Sequence, residues 1–499
     1  MNALTDAVAR SFAAAEPDRP AVSPLRALGR RRLSGAEVLG QSVATTAPAA
    51  SMVMLPVTMF GSETLLPGLV TIVVATVVIT LIACCVAQFT RRLAAAGGLY
   101  TFVFQGLRTR AALICGIGLL VKYLGSAALT MYHGGQAALA VAAQLGITVR
   151  GAGSYVVYLA IAAIIGCALV RGVRFAAVVT LAVEACSLAF IVGLMLLPGS
   201  ADQVAVAPPG SGGPGVLLVA LTAVFSLAGF DSATFFAPET RRPLVTVTRA
   251  VLLTPMICGT LFILAAWAAW SGRAGALVNA YLHGTSTGVS PLVVVLLNLG
   301  LTASWLGSSM ASSNAVSRLV YTMGIEGVLP RVFTRVNRRL RTPSVALAVI
   351  VSVVTAGAMA GLALGGVPAE AKMVVRTALC MTYILVAVAS VRFLLRIHEM
   401  TRRERDFAVV GAVTLSCTLG LLFVTDALRG SFVAAGAASV IVAAGIVWHR
   451  RTGPRIRSAI GVFDSPESAD VLPGAGVFAV NERGRMALVG ARHLGPGER

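Results

Sequence analysis

Apolar residues along this chain gather into twelve long runs, separated by short polar segments that hold most of the arginines. The runs fall at 37–60, 66–89, 111–146, 155–171, 175–198, 215–238, 247–271, 289–323, 343–363, 371–396, 406–426 and 429–449. A helix of about 20 apolar residues crosses the hydrocarbon layer of a bilayer. The pattern therefore predicts an all-α polytopic membrane protein with 12 transmembrane helices. Composition agrees: of 499 residues, 57% are hydrophobic and 12% charged, against roughly 25% charged in an ordinary soluble domain. A water-soluble fold of this length does not hide so much apolar surface.

The net charge of +20 would suit nucleic acid only if the basic residues shared one soluble face. They lie between the apolar runs instead, and 38 of the 40 are arginine. One side of the bilayer receives 34 of them, and the other receives Arg150, Arg273, Lys372, Arg376 and Arg429. Lys122 falls within a run. Positive charge marks the cytoplasmic side, so the expected placement is the cytoplasmic membrane, multi-pass, with both termini in the cytoplasm. The lipid bilayer is then a partner and nucleic acid is not. Residues 1–35 form a polar N-terminal segment with no cleavage site after the first run, so no signal peptide is expected. Helices 1–5 occupy 36–200, helices 6–10 occupy 214–398, helices 11–12 occupy 404–449, and a cytoplasmic tail fills 450–499, with small elements near 459–463 and 477–480. The eight cysteines lie within apolar runs and lack metal-ligand spacing, so they read as packing residues. No metal and no cofactor are expected.

Two runs are interrupted near mid-depth. The first contains Thr45-Thr46-Ala47-Pro48-Ala49-Ala50-Ser51, and the sixth Ser226-Leu227-Ala228-Gly229-Phe230-Asp231-Ser232. Unwound backbone survives at membrane depth only where it lines a cavity or is covered by protein. Breaks at corresponding positions of two inverted halves mark the binding site of a secondary transporter; packing kinks at Pro48 and Gly229 are the plainer alternative. Phe225 and Phe230 flank the second break, as gates or as packing. Lys122, Glu184 and Asp231 are ionisable groups inside runs, where charge is expensive. They neutralise one another, Lys122 with Glu184 or Asp231, or they have a task. A carboxyl group held out of water takes up a proton more readily, which suits Glu184 as a proton carrier; ligation of a coupling cation is the other task. Ser308 and Ser312 share a face of the eighth run, one turn apart. They would complete a site near Glu184 or serve as back-bonding residues. His133 reads as structural. No Ser-His-Asp grouping, HExxH pattern or phosphate loop is present.

Three segments carry a resemblance. Phe225–Pro243 (FSLAGFDSATFFAPETRRP) resembles the sixth-helix signature of the amino acid–polyamine–organocation (APC) superfamily of permeases. Arg318–Pro343 (RLVYTMGIEGVLPRVFTRVNRRLRTP) is similar to that family's eighth-helix exit, and Ala87–Val103 (AQFTRRLAAAGGLYTFV) to the end of its second helix. The resemblance implies the leucine-transporter-type fold, a 5+5 inverted repeat plus two C-terminal helices, working by alternating access. It places substrate at Thr46, Ala47, Ala49, Ala50 and Ser51, whose N–H groups would meet a carboxylate. It further implies Phe225, Ala228, Gly229, Phe230 and Asp231, which would meet an amino group and a side chain. Lys122, Glu184, Ser308 and Ser312 are the candidates for coupling or charge relay. Three positions depart from the family pattern: Ala47-Pro48-Ala49-Ala50 replaces a Gly-rich break, Gln88 replaces Glu, and Glu184 replaces a lysine of many proton-coupled members.

The function expected is secondary active transport of amino acids or related amines, proton coupled or by exchange. A nutrient sensor or accessory subunit with the permease fold, binding a ligand without transporting it, is the alternative. An enzyme is not expected, because no nucleophile and base occur together.

Overall fold

The computed structural model describes residues 33–171, 173–196, 215–337, 341–461, 476–480 and 486–490. Among the described residues, eleven helical units are long and apolar enough to cross a membrane, from Gly35–Gly61 to Val433–Arg451. The first unit is α1 (Gly35–Thr45) followed by α2 (Pro48–Gly61), and then come α3 (Leu65–Thr90), α4 (Leu99–Gln144) and α5 (Ala152–Arg171). α6 (Val173–Leu196) is a helix of 24 residues at the expected fifth run and includes the apolar stretch Glu184–Leu196. The second half holds α7 (Gly215–Leu227) with the 3-10 helix Phe230–Glu239, α8 (Pro243–Trp270), α9 (Gly275–His283) and α10 (Pro291–Ile325). α11 (Ser344–Ala363), α12 (Ala369–Arg396), α13 (Arg402–Leu428) and α14 (Val433–Arg451) follow. The tail adds α15 (Pro454–Ala459) and an antiparallel hairpin of β1 (Gly476–Val480) and β2 (Met486–Gly490).

Local sequence sets the helix ends. Ser34 and Glu37 form a capping box at α1, and Thr401 and Glu404 one at α13, each satisfying orphan N–H groups. Proline opens α2, α8 and α10, where a missing N–H costs nothing. The third run was expected at 111–146, but its helix begins twelve residues earlier, at Leu99. Arg108 is the reason: its φ of 68° and ψ of −170° put a corner between 99–107 and the spanning part. α9, which the apolar pattern did not single out, buries Leu277, Val278 and Ala280 against α2 and α10.

α4 packs most extensively against α10 and α12, and α3 against α8. At Gly106 an added Cβ would collide with the backbone of Ala389, so α4 and α12 approach at a distance only glycine permits. Bulky apolar side chains remain exposed on the outside of the bundle, among them Val70, Val77, Ile164, Leu292 and Val413. Such a belt fits lipid rather than water.

Candidate functional site

The first break follows from two adjacent residues. Proline disfavours α-helical backbone in the residue before it and has no N–H for the carbonyl four residues back. Ala47, ahead of Pro48, is left-handed, with φ 44° and ψ 60°. That conformation costs an L-residue roughly 1–2 kcal/mol, so alanine does here what glycine would do without strain. The groups freed by the break are all used. Ser308 Oγ donates to the Thr45 carbonyl at 2.8 Å and Ser51 Oγ to that of Thr46 at 3.0 Å. The Ala49 N–H donates to Glu184 Oε1 at 2.9 Å, and the Ala50 N–H to Ser304 Oγ at 3.2 Å. Ser304 Oγ in turn donates to Glu184 Oε1 at 2.8 Å. A buried carboxyl from α6 therefore sits on the positive end of α2.

The second break is pressed against the first. A Cβ on Gly229 would lie 2.7 Å from the Thr46 amide nitrogen and 2.9 Å from the Thr45 carbonyl carbon. Ser42 Oγ donates to the Phe230 carbonyl at 3.1 Å, and Thr45 Oγ1 to Ser232 Oγ at 3.0 Å. Asp231, fully buried, is held by three side chains. Lys122 Nζ donates to Oδ1 at 2.6 Å, Tyr383 OH to Oδ1 at 2.9 Å, and Tyr123 OH to Oδ2 at 2.9 Å.

A cavity of about 660 Å³ starts at these breaks and runs between α2, α4, α7, α10 and α12 toward Glu63, Lys372 and Arg429. The opposite end is shut. Arg318, wholly buried on α10, donates from Nε to Glu239 Oε1 at 3.0 Å. Its Nη1 donates to the Asn314 carbonyl, to Asn314 Oδ1 and to Ser317 Oγ, and the guanidinium stacks 4.9 Å from the Phe236 ring. Gln41 Nε2 donates to the Ala311 carbonyl at 2.8 Å, which ties α1 to the same layer. Beneath it Leu33 forms a β-bridge with Thr240.

Residues 41–449 match the model of a family described as amino acid permease. The chain belongs to the amino acid permease family. The low-affinity putrescine importer PlaP of Escherichia coli strain K12 is 28% identical over 152 residues, which covers 28% of the permease and 31% of the importer. The same importer from Escherichia coli O157:H7 matches equally. The match thus spans about a third of those relatives' length.

Of the residues singled out from sequence, the permease brings Thr46, Ala47, Ser51, Lys122, Phe225, Ala228, Ser308 and Ser312 to the cavity wall. Ala49, Ala50, Glu184, Gly229, Phe230 and Asp231 lie behind that wall. The N–H groups expected to await a substrate carboxylate at Ala49 and Ala50 are engaged by Glu184 and Ser304, because a helix end buried in protein needs an acceptor. Asp231, expected to face an amino group, is turned to Lys122 instead. Of the two expected pairings for Lys122, the structure has Asp231 and not Glu184. The hydroxyl that meets Glu184 belongs to Ser304, one turn before Ser308. Ser312 lines the cavity, and its hydroxyl has no partner among the described residues.

Sequence reasoning missed the remaining wall residues and the closed end. The signal for the wall was present: Lys122, Ser126, Thr130 and His133 recur at helical spacing on one face of α4. His133, taken as structural, lines the cavity with its ring 5.3 Å from that of Trp305. Glu239 and Arg318 were visible as charges within the family-like segments, but their meeting across 79 positions was not.

Proposed function

We propose that this permease is a secondary transporter that carries amino acids or related amines across the cytoplasmic membrane by alternating access. The observation that carries the reading is a cavity that reaches two touching helix breaks from one face while a buried ion-pair layer seals the other. Substrate bound on that floor has one route in, and opening the sealed end would give it another. α6 supplies the twelfth span, so that α1–α6 and α7–α12 form the two inverted repeats, with α13 and α14 added. The uneven distribution of basic residues supports cytoplasmic termini and an outward-facing cavity. The putrescine importer among its relatives supports a substrate with an amino group.

Coupling falls to Glu184 in this reading. A carboxylate on the N-terminus of α2 is stabilised by that helix's dipole, and protonation removes the stabilisation. Loss of charge would then loosen α2 from α6 and α10 and let the cavity change shape. Binding and protonation thereby become linked through one helix end, as symport or exchange of protons requires. The test is uptake of a labelled amino acid and amine panel into proteoliposomes, with and without an inward proton gradient. Accumulation above equilibrium only with the gradient is expected. Binding with no flux under any gradient would overturn the transporter reading.

A further inference from the structure

Besides His133, five acidic or basic side chains line the cavity: Glu63, Lys122, Lys372, Arg376 and Arg429, four of them basic. The single acid, Glu63, is exposed at the rim, beyond the end of α2. Lys372 and Arg376 lie one turn apart on the same face of α12. No described carboxylate forms an ion pair with Lys372, Arg376 or Arg429. Arg376 makes a neutral contact, donating from Nη2 to Thr222 Oγ1 on α7 at 3.2 Å. Seven residues further along α12, about 10 Å by helix rise, Tyr383 reaches the Asp231 cluster. Lys122 presents to the cavity there, while its partner Asp231 is fully buried behind it.

We propose that the permease takes a carboxylate substrate of net negative charge, such as an acidic amino acid, and excludes diamines. This rests on the transporter reading above and narrows its substrate. A dication descending the cavity would pass three cations that no described carboxylate pairs, in a channel with low-dielectric walls, and end beside Lys122. Walls of one sign focus the potential and concentrate the opposite charge. An incoming carboxylate gains at each of those points and can share Lys122 with Asp231. The amino group of such a substrate meets the carbonyl and hydroxyl groups around Thr45 and Ala228.

The experiment is uptake of labelled L-glutamate, L-alanine and putrescine, at equal concentration, by the full-length permease in proteoliposomes. Binding of each compound is measured alongside by calorimetry. Glutamate is expected to enter fastest and putrescine at background. Replacing Lys372, Arg376 and Arg429 together by Gln should raise the glutamate KM about tenfold or more, while alanine uptake stays nearly level. The charge-conserving pair Lys372→Arg and Arg376→Lys should show a smaller rise in the glutamate KM than the triple variant, which separates charge from packing. High ionic strength should shrink the difference between parent and triple variant. Preferred uptake of putrescine, or a glutamate KM unmoved in a folded triple variant, overturns this inference and leaves the transporter reading standing. Neither flux nor binding for any of the three compounds overturns both.

Discussion

Glu239→Gln tests the closed end most directly. Arg318 is wholly buried and stacked on Phe236, and Glu239 is the carboxylate within reach of its Nε. Removing one partner of a buried ion pair leaves the other charge without compensation, at a cost of about 3–5 kcal/mol. The cost falls only on states in which Arg318 is dry. Opening this end hydrates the guanidinium and escapes the penalty, so the open population rises by the same energy. At about 1.4 kcal/mol per tenfold, the shift is between about a hundredfold and a few thousandfold. Ser313, one turn and a half above Arg318 on α10, is 1% exposed and reports on this change. With Ser313→Cys in a background whose native cysteines are replaced, maleimide labelling from the arginine-rich face should accelerate sharply in Glu239→Gln. Arg318→Met with Glu239→Leu removes both charges and should return the rate toward the parent, because no charge is then stranded. Unchanged labelling in a folded Glu239→Gln protein would refute the assignment of this pair as the lock.

Other expectations concern the two breaks. Glu184→Gln should abolish gradient-driven accumulation while binding survives, since the amide can still accept from Ala49 but cannot ionise; full accumulation in flux assays would return Glu184 to structure. Gly229→Val should abolish ligand binding, because its Cβ and methyl groups meet the Thr45–Thr46 backbone; unchanged calorimetric affinity would count against the site. Ala47→Gly should leave thermal stability level or raise it by up to about 1 kcal/mol, as relief of left-handed strain offsets the added chain entropy. Ala47→Val should lower it, and equal melting temperatures for the two would contradict the geometry. Asp231→Asn strands Lys122 and should cost about 3–5 kcal/mol, measurable by unfolding in detergent, with part recovered when Lys122→Met is added.

The spans were legible because the bilayer imposes a length and a polarity that a local window of sequence reveals. Pro48 and Gly229 betrayed the breaks for a similarly local reason, since each acts on its own backbone. What the breaks are joined to was not legible. Glu184 could be seen as a buried acid, yet its choice of the Ala49 N–H over Lys122 depends on how α6 rotates against α1 and α2. The same holds for Gly229, whose missing side chain serves a contact with Thr46, 183 positions away. The corner at Arg108 was hidden because an arginine, and not the nearby Gly106, takes the positive φ.

The two mid-depth acids differ in a way that bears on coupling. Asp231 has a fixed cation, so loss of its charge would leave the buried Lys122 ammonium with neutral neighbours, the Tyr383 hydroxyl and the Tyr123 and Tyr383 rings. Glu184 has no cation beside it among the described residues. It is held by one N–H and one hydroxyl, both of which survive its neutralisation as groups that water or a rotated side chain can satisfy. Under the proposed coupling, neutralising Glu184 strands no second charge among the described residues, whereas removing the charge of Asp231 strands Lys122. A transporter that must cycle between two shapes at modest energy has reason to place the exchangeable proton on the acid balanced by a dipole. The acid balanced by a lysine is better kept as a fixed part of the floor.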